Sequence, residues 1–204
     1  MYDYVTGDLS GYHRDHDVLL SNGSAVVIAV AGPAGSGKST LGRTLAEALR
    51  LPLLDLDTLS TPLLDRLHGP VFDEHWLTHP RADDIRAARY AALRATAAEV
   101  ISTAGSAVLA APFTAELTGG PEWTELVRSV APAELHLVHL QGDPELFAAR
   151  RAGRGADRDA HRPSTAAPPS PAVPHIAIDA ELSPAQQRFR VLRALDHRTP
   201  ADPE

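Results

Sequence analysis

The chain of 204 residues contains no cysteine, a single asparagine (Asn22) and a single lysine (Lys38). Without cysteine there is no disulfide framework, no thiolate nucleophile and no cysteine-ligated zinc. Aromatic residues make up only 5%, so the core has to be built from Leu, Val, Ala and Ile. Basic residues are outnumbered: the net charge is −7 and the pI is near 5.8, which argues against a broad nucleic-acid footprint. No long apolar run exists. The longest, VVIAVAGPA, is far too short to span a bilayer. The opening MYDYVTGDLSGYHRDHD has neither the basic nor the apolar region of a secretory signal. These absences predict a soluble cytoplasmic protein with no nucleic-acid or membrane partner; a monomer or a homodimer is expected, and nothing in the composition chooses between them.

Against this background the placement of the one lysine is informative. It sits in AGPAGSGKSTL (31–41), while the other 18 residues of the Lys+Arg total of 19 are arginine. Gly32-Pro-Ala-Gly35-Ser36-Gly37-Lys38-Ser39 matches the phosphate-binding pattern G-x-x-x-x-G-K-[ST] in full. The glycines allow the backbone to wrap around anionic oxygens with its N–H groups pointing inward. A helix starting near Lys38 turns its positive end toward the same oxygens. Arginine is a broad planar fork, whereas lysine is a compact point charge on a flexible stem. The loop therefore predicts binding of ATP by Gly32, Gly35, Ser36, Gly37, Lys38, Ser39 and Thr40, with Lys38 at the β- and γ-phosphates and Ser39 as a ligand of Mg²⁺.

Apolar periodicity supplies the frame. AVVIAVAG (25–32) reads as a strand buried on both faces, and STLGRTLAEALR (39–50) as a helix with Leu41, Leu45 and Leu49 on one side. LPLLDLDTL (51–59) reads as a short second strand ending at acidic residues. Residues 58–80 are interrupted by Pro62, Pro70 and Pro80. DDIRAARYAALRATAAEVIST (83–103) is the longest helical pattern. Three further strands are predicted at SAVLAAP (106–112), ELHLVHL (134–140) and HIAID (175–179). Helices are predicted at DPELFAARRA (143–152) and SPAQQRFRVLRAL (183–195). Strands alternating with helices imply an α/β domain, a three-layer α/β/α arrangement on a five-stranded parallel sheet. The domain is expected over residues 25–195, after an N-terminal extension (1–24) and before a C-terminal tail (196–204). Residues 150–174 carry Arg150, Arg151, Arg154, Arg158 and Arg162, then a proline-rich stretch, and read as an arginine-bearing loop on a stiff linker.

A phosphate-binding loop alone does not name a reaction. With Asn22 as the only asparagine, the Asn-Lys-x-Asp guanine-reading element of GTPases is excluded. There is no Leu-Ser-Gly-Gly-Gln of transport ATPases, and no apolar run ends in Asp-Glu. The second strand instead ends in Asp55-Leu-Asp57. On an extended chain that spacing puts both carboxylates on one side, at the sheet edge that carries the loop. One carboxylate can hold a water of the Mg²⁺ shell while the other takes a proton from an attacking hydroxyl. The competing reading is that they cap a helix starting near Thr58.

The sequence order GPAGSGKST, LLDLD, RRAGRGADR, HIAID resembles the small-molecule kinases of the shikimate kinase and gluconate kinase group and, more distantly, chloramphenicol phosphotransferase. The resemblance implies a P-loop kinase fold with an Arg-rich lid, and transfer of the ATP γ-phosphate to a hydroxyl of a small metabolite or natural product. It implies Asp55 at the Mg²⁺ shell, Asp57 at the acceptor hydroxyl, Arg150 near the adenine, and Arg154 or Arg158 over the phosphates. The Gly-Gly-Gly segment with which shikimate kinases hold their acceptor is missing; the third strand runs instead into AAPFTAELTGG. Arg86 and Arg89, three apart on one predicted helix, are candidates for an anionic acceptor, with surface salt bridging as the competing reading. Trp76 and Trp123 are read as packing residues that can also line an acceptor pocket. The histidines show no zinc-ligand spacing. Three alternatives stand beside the small-molecule kinase: a nucleoside or nucleotide kinase, an antibiotic-modifying phosphotransferase, and a non-catalytic ATP-binding regulatory module.

Overall fold

The computed structural model describes residues 25–154 and 170–196. Five strands form one sheet in the order β2-β3-β1-β4-β5, with every pairing parallel. They are β1 (Val26–Ala31), β2 (Leu53–Asp55), β3 (Ala107–Ala110), β4 (Glu134–Gln141) and β5 (Ile176–Asp179). Among the described residues six α-helices accompany them: α1 (Lys38–Leu49), α2 (Leu56–Leu67), α3 (Ala82–Ala104), α4 (Pro121–Val130), α5 (Pro144–Arg154) and α6 (Pro184–Asp196).

β1 is central and every one of its residues is buried. Its side chains alternate between two cores, as a strand covered on both faces must. Val27, Ala29 and Ala31 face α3 and α4 with Leu93, Ala97, Ile101 and Leu126. Ile28 and Val30 face the other layer with Leu41, Leu45, Leu49, Phe147 and Val191. Gly42 brings α1 close to the sheet: a Cβ there would stand 3.3 Å from both Ala110 Cβ and Leu53 Cδ1.

Three expectations change. The second strand ends at Asp55 and α2 begins at Leu56, so Asp57 lies in the first turn of a helix and the two carboxylates are not on one extended strand. Pro62 does not break the chain but sits inside α2, whose Leu56 and Leu64 are buried. Residues 150–154 are helical, as the end of α5, so Arg150, Arg151 and Arg154 are on a helix rather than a loop, while Arg158 and Arg162 lie outside the described residues. A short 3-10 turn (Glu116–Thr118) and α4, which starts with Pro at its first position, fill the stretch between β3 and β4 for which no element was expected. Among the described residues no helix is long and apolar enough to cross a membrane.

Candidate active site

In a parallel sheet ligands bind outside the carboxyl ends of the strands. Here that edge carries the loop 32–37 after β1, the start of α2 after β2, the loop after β3 and the turn after β5. The loop 32–37 is fixed by its own backbone and by α5. Gly35 has φ 88° and Gly37 has φ 97°, in the region where a Cβ is strained. A Cβ on Gly35 would also fall well inside contact distance of the Phe147 carbonyl oxygen on α5. Arg151 of α5 donates through Nη1 to the Ala34 carbonyl at 2.9 Å. Lys38 Nζ donates to the Pro33 carbonyl at 3.0 Å, crossing the loop.

Ser36 Oγ is buried and has no hydrogen-bond partner. A Cβ on Gly32 would stand 2.9 Å from it. An unpaired hydroxyl inside a glycine-lined turn, at the N-terminus of α1, fits a phosphate, whose oxygens accept the hydrogen bonds this turn offers. The Mg²⁺ donors also fit. Ser39 Oγ donates to Asp55 Oδ2 at 2.6 Å, so the hydroxyl and the carboxylate already converge. Both are hard oxygen donors of the kind Mg²⁺ takes. The other Asp55 oxygen, Oδ1, accepts from Asp57 N (2.9 Å) and Thr58 N (3.2 Å) and caps α2. The two readings of Asp55 are compatible, one on each carboxylate oxygen.

Asp57 points to a different partner. Its Oδ1 accepts from Arg89 Nη2 at 2.6 Å. Arg89 Nε donates to Ser60 Oγ at 2.7 Å, and Ser60 Oγ donates to Leu56 O at 2.6 Å. Arg89 is only 8% exposed and its Cζ lies 4.4 Å from the centre of the Trp76 ring. Asp57 and Ser60 meet one guanidinium because residues three apart share a helix face. Arg86 does not join this group: its side chain is 55% exposed and lies 3.7 Å from Asp83.

Beyond Arg89 the wall is made by α3 and the loop after β3. Tyr90 Oη accepts from Phe113 N at 2.9 Å, at a residue held with φ 52°. Burial pushes the Tyr90 hydroxyl well above the usual phenol range, with the Glu116 carboxylate adding to it. Burial also raises the Glu116 carboxyl. At the end of α5, Arg150 Nη2 donates to the Ala180 carbonyl in the turn after β5 at 3.0 Å. The expected phosphate arginines are not placed: Arg158 lies outside the described residues, and Arg154 is described only as the last residue of α5.

The sequence pattern assigns no role to Arg151, Ser60 or Tyr90, and marks Trp76 chiefly as packing. Ser60 was legible in principle as the third residue after Asp57, once α2 is known to start at Leu56. Nothing in the sequence joined Trp76 to Arg89.

Residues 27–167 match the AAA domain family. The chain is 39% identical over 82 residues to a shikimate kinase of Corynebacterium diphtheriae, an alignment covering 40% of this chain and 46% of that protein. It is 36% identical over 83 residues to a shikimate kinase of Corynebacterium efficiens, covering 41% and 47%. The chain thus matches about half the length of these curated relatives. Its fold is shared with a gluconokinase from Sinorhizobium meliloti 1021, at TM-score 0.59 and 24% identity, over 85% of this chain and 93% of that one.

Proposed function

The chain belongs to the AAA domain family, and on that premise we propose that it is a Mg²⁺-dependent kinase that transfers the γ-phosphate of ATP to a hydroxyl of a small molecule. The observation that carries the reading is the chain of contacts from Ser39 through Asp55 to Asp57 and Arg89. It links the glycine loop to a second carboxylate, whose own partner is Arg89. A carboxylate beside the glycine loop that keeps 29% of its side-chain surface exposed suits the orientation of an acceptor hydroxyl and the removal of its proton.

In this reading the loop N–H groups, Ser36 and Lys38 hold the phosphates, and the N-terminus of α1 adds its partial positive charge. Ser39 and Asp55 would hold Mg²⁺, which supplies neutralisation of phosphate charge when bound. Arg150 and the turn at Ala180 border the adenine. Asp57 orients the acceptor hydroxyl and takes its proton. The acceptor oxygen forms a bond to the γ-phosphorus as the bond to the β–γ bridging oxygen breaks, and ADP leaves. The chemistry is positioning and charge neutralisation. Arg89, whose charge is paired with Asp57, offers its remaining N–H groups to a neutral polar part of the acceptor. The similar proteins include shikimate kinases and a gluconokinase; shikimate and gluconate are both hydroxyl-bearing acids and are the first acceptors to try. Arg154 and Arg158 are proposed to close over the phosphates, and Arg86 to meet an acceptor only at the rim.

A nucleotide kinase is less favoured. Of the acceptor-side arginines on α3, one is neutralised by Asp57 and the other is exposed beside Asp83, which is a poor grip for a dianionic phosphate acceptor. The test is ADP release with Mg-ATP against pooled hydroxy acids, sugars, nucleosides and antibiotics. One pool should raise turnover, and both Lys38→Ala and Asp57→Asn should silence it. Equal ADP release in every pool would sink the reading.

A further inference from the structure

Trp76 is 3% exposed, yet it belongs to neither of the two hydrophobic clusters that enclose the sheet. Its burial serves something else. Buried tryptophans usually find a partner for the indole N–H, but Trp76 Nε1 is buried with no hydrogen-bond partner. The ring is therefore held for its face rather than its edge. That face lies under the Arg89 guanidinium, 4.4 Å from Cζ to ring centre, in the arrangement a cation prefers over an indole. On its other contact the ring stacks with His75, 5.4 Å between centroids at 29°. His75 is itself fixed, since its Nδ1 accepts from Leu77 N at 3.2 Å.

The edge of the guanidinium is fixed separately. Ser60 Oγ spends its own hydrogen on Leu56 O, at 2.6 Å, and so turns a lone pair to Arg89 Nε at 2.7 Å. A planar fork held on its face and at one edge has one orientation left. In that orientation Nη2 meets Asp57 Oδ1 at 2.6 Å. Arginine stays charged even when buried, so the pair is held by a full charge as well as by geometry. Asp57 keeps 29% of its side-chain surface exposed, whereas Arg89 keeps 8%.

We propose that Trp76 and Ser60 are positioning residues for phosphoryl transfer, acting through Arg89 to hold the Asp57 carboxylate in the one direction from which it meets the acceptor hydroxyl. This rests on the reading of Asp57 as the acceptor-side carboxylate. Misplacement of a reacting group by about 1 Å can lower a rate by about 100-fold, so the rack under Arg89 matters even though neither residue touches the acceptor.

Two measurements on the full chain separate this inference from the kinase reading. The first needs no acceptor. In a Trp123→Phe background the only indole N–H resonance is that of Trp76. It should shift in Asp57→Asn and in Ser60→Ala, and the response to Asp57→Asn should vanish once Arg89→Met is also present. An indole resonance unmoved by Asp57→Asn, or moved equally with and without Arg89, overturns the inference. The second measurement uses D-gluconate and shikimate as acceptor probes. With either one turned over, Trp76→Phe should keep kcat within about twofold, because a ring face remains. Trp76→Leu should lower kcat about tenfold with the KM for ATP unchanged. Wild-type kcat in Trp76→Leu also overturns the inference. An intact indole response with no acceptor-dependent turnover for any compound counts against the kinase reading alone.

Discussion

At Lys38 an arginine is not a conservative exchange. The ammonium reaches across a tight loop to the Pro33 carbonyl at 3.0 Å, and a planar guanidinium has no equivalent compact form. Lys38→Arg is expected to lower turnover about 100-fold, in the range for loss of one charge-stabilising donor, with unchanged thermal stability; steady-state kinetics and a melting curve check both halves. Glu116 gives a prediction about pH. Its carboxyl is raised above the usual glutamate range, first by burial, so the folded chain holds this proton more tightly than the unfolded chain. The contribution of this group to stability is full below the unfolded value and is lost as pH rises through the folded one. Glu116→Gln should therefore raise the melting temperature at pH 8, and the gain should shrink toward zero near pH 4. A gain that grows on acidification would show that the sign is wrong.

The short α2 connects residue chemistry to the fold. Its N-cap, Asp55, uses Oδ1 for the helix and Oδ2 for Ser39, so one side chain ends a strand, starts a helix and meets the first turn of α1. Asparagine also caps well but carries no charge. Asp55→Asn should stay within a few tenths of a kcal/mol of wild type, whereas Asp55→Ala should lose about 1 kcal/mol. Urea unfolding measures that difference, and both variants should fail to turn over ATP. The sequence revealed Asp55 and Asp57 as a pair but not their directions. An apolar run ending in Asp-Leu-Asp reads equally well as a strand running on, and the strand-to-helix change between Asp55 and Leu56 is decided by tertiary packing of Leu56 and Leu64. The glycine loop was legible because each of its residue types answers a steric or electrostatic need within a few positions. Trp76 and Arg89 were not, because they come together from separate segments, and no local pattern records a ring under a guanidinium. Arg151 was hidden in a run of arginines that the composition makes common; only its place on α5 turns it to Ala34.

At the scale of the whole molecule, the parallel sheet gathers the ends of five strands at one edge, with a hydrophobic core packed on each face behind it. One buried group makes this core sensitive to acid. His139 on β4 is 5% exposed, and neither ring nitrogen has a hydrogen-bond partner. Burial holds its pKa below the usual histidine range, with His175, 5.9 Å away between ring centroids, lowering it further. Below the unfolded value the unfolded chain binds the proton first, so stability falls as pH drops through about 6.5. The melting temperature should fall between pH 7 and pH 5.5 on account of this residue, and His139→Leu should flatten that slope. An equally steep slope in His139→Leu would assign it to other groups.

In the proposed reaction the terminal phosphate of ATP goes to an acceptor hydroxyl at Asp57 rather than to water. The most direct measurement is ³¹P NMR of the products formed from Mg-ATP with a hydroxyl-bearing acid such as gluconate or shikimate, and with the acceptor pools. A new phosphate monoester signal should grow in step with ADP and be lost in Asp57→Asn and in Lys38→Ala. Inorganic phosphate and ADP as the sole products with every acceptor, at a rate that Asp57→Asn leaves unchanged, would contradict it.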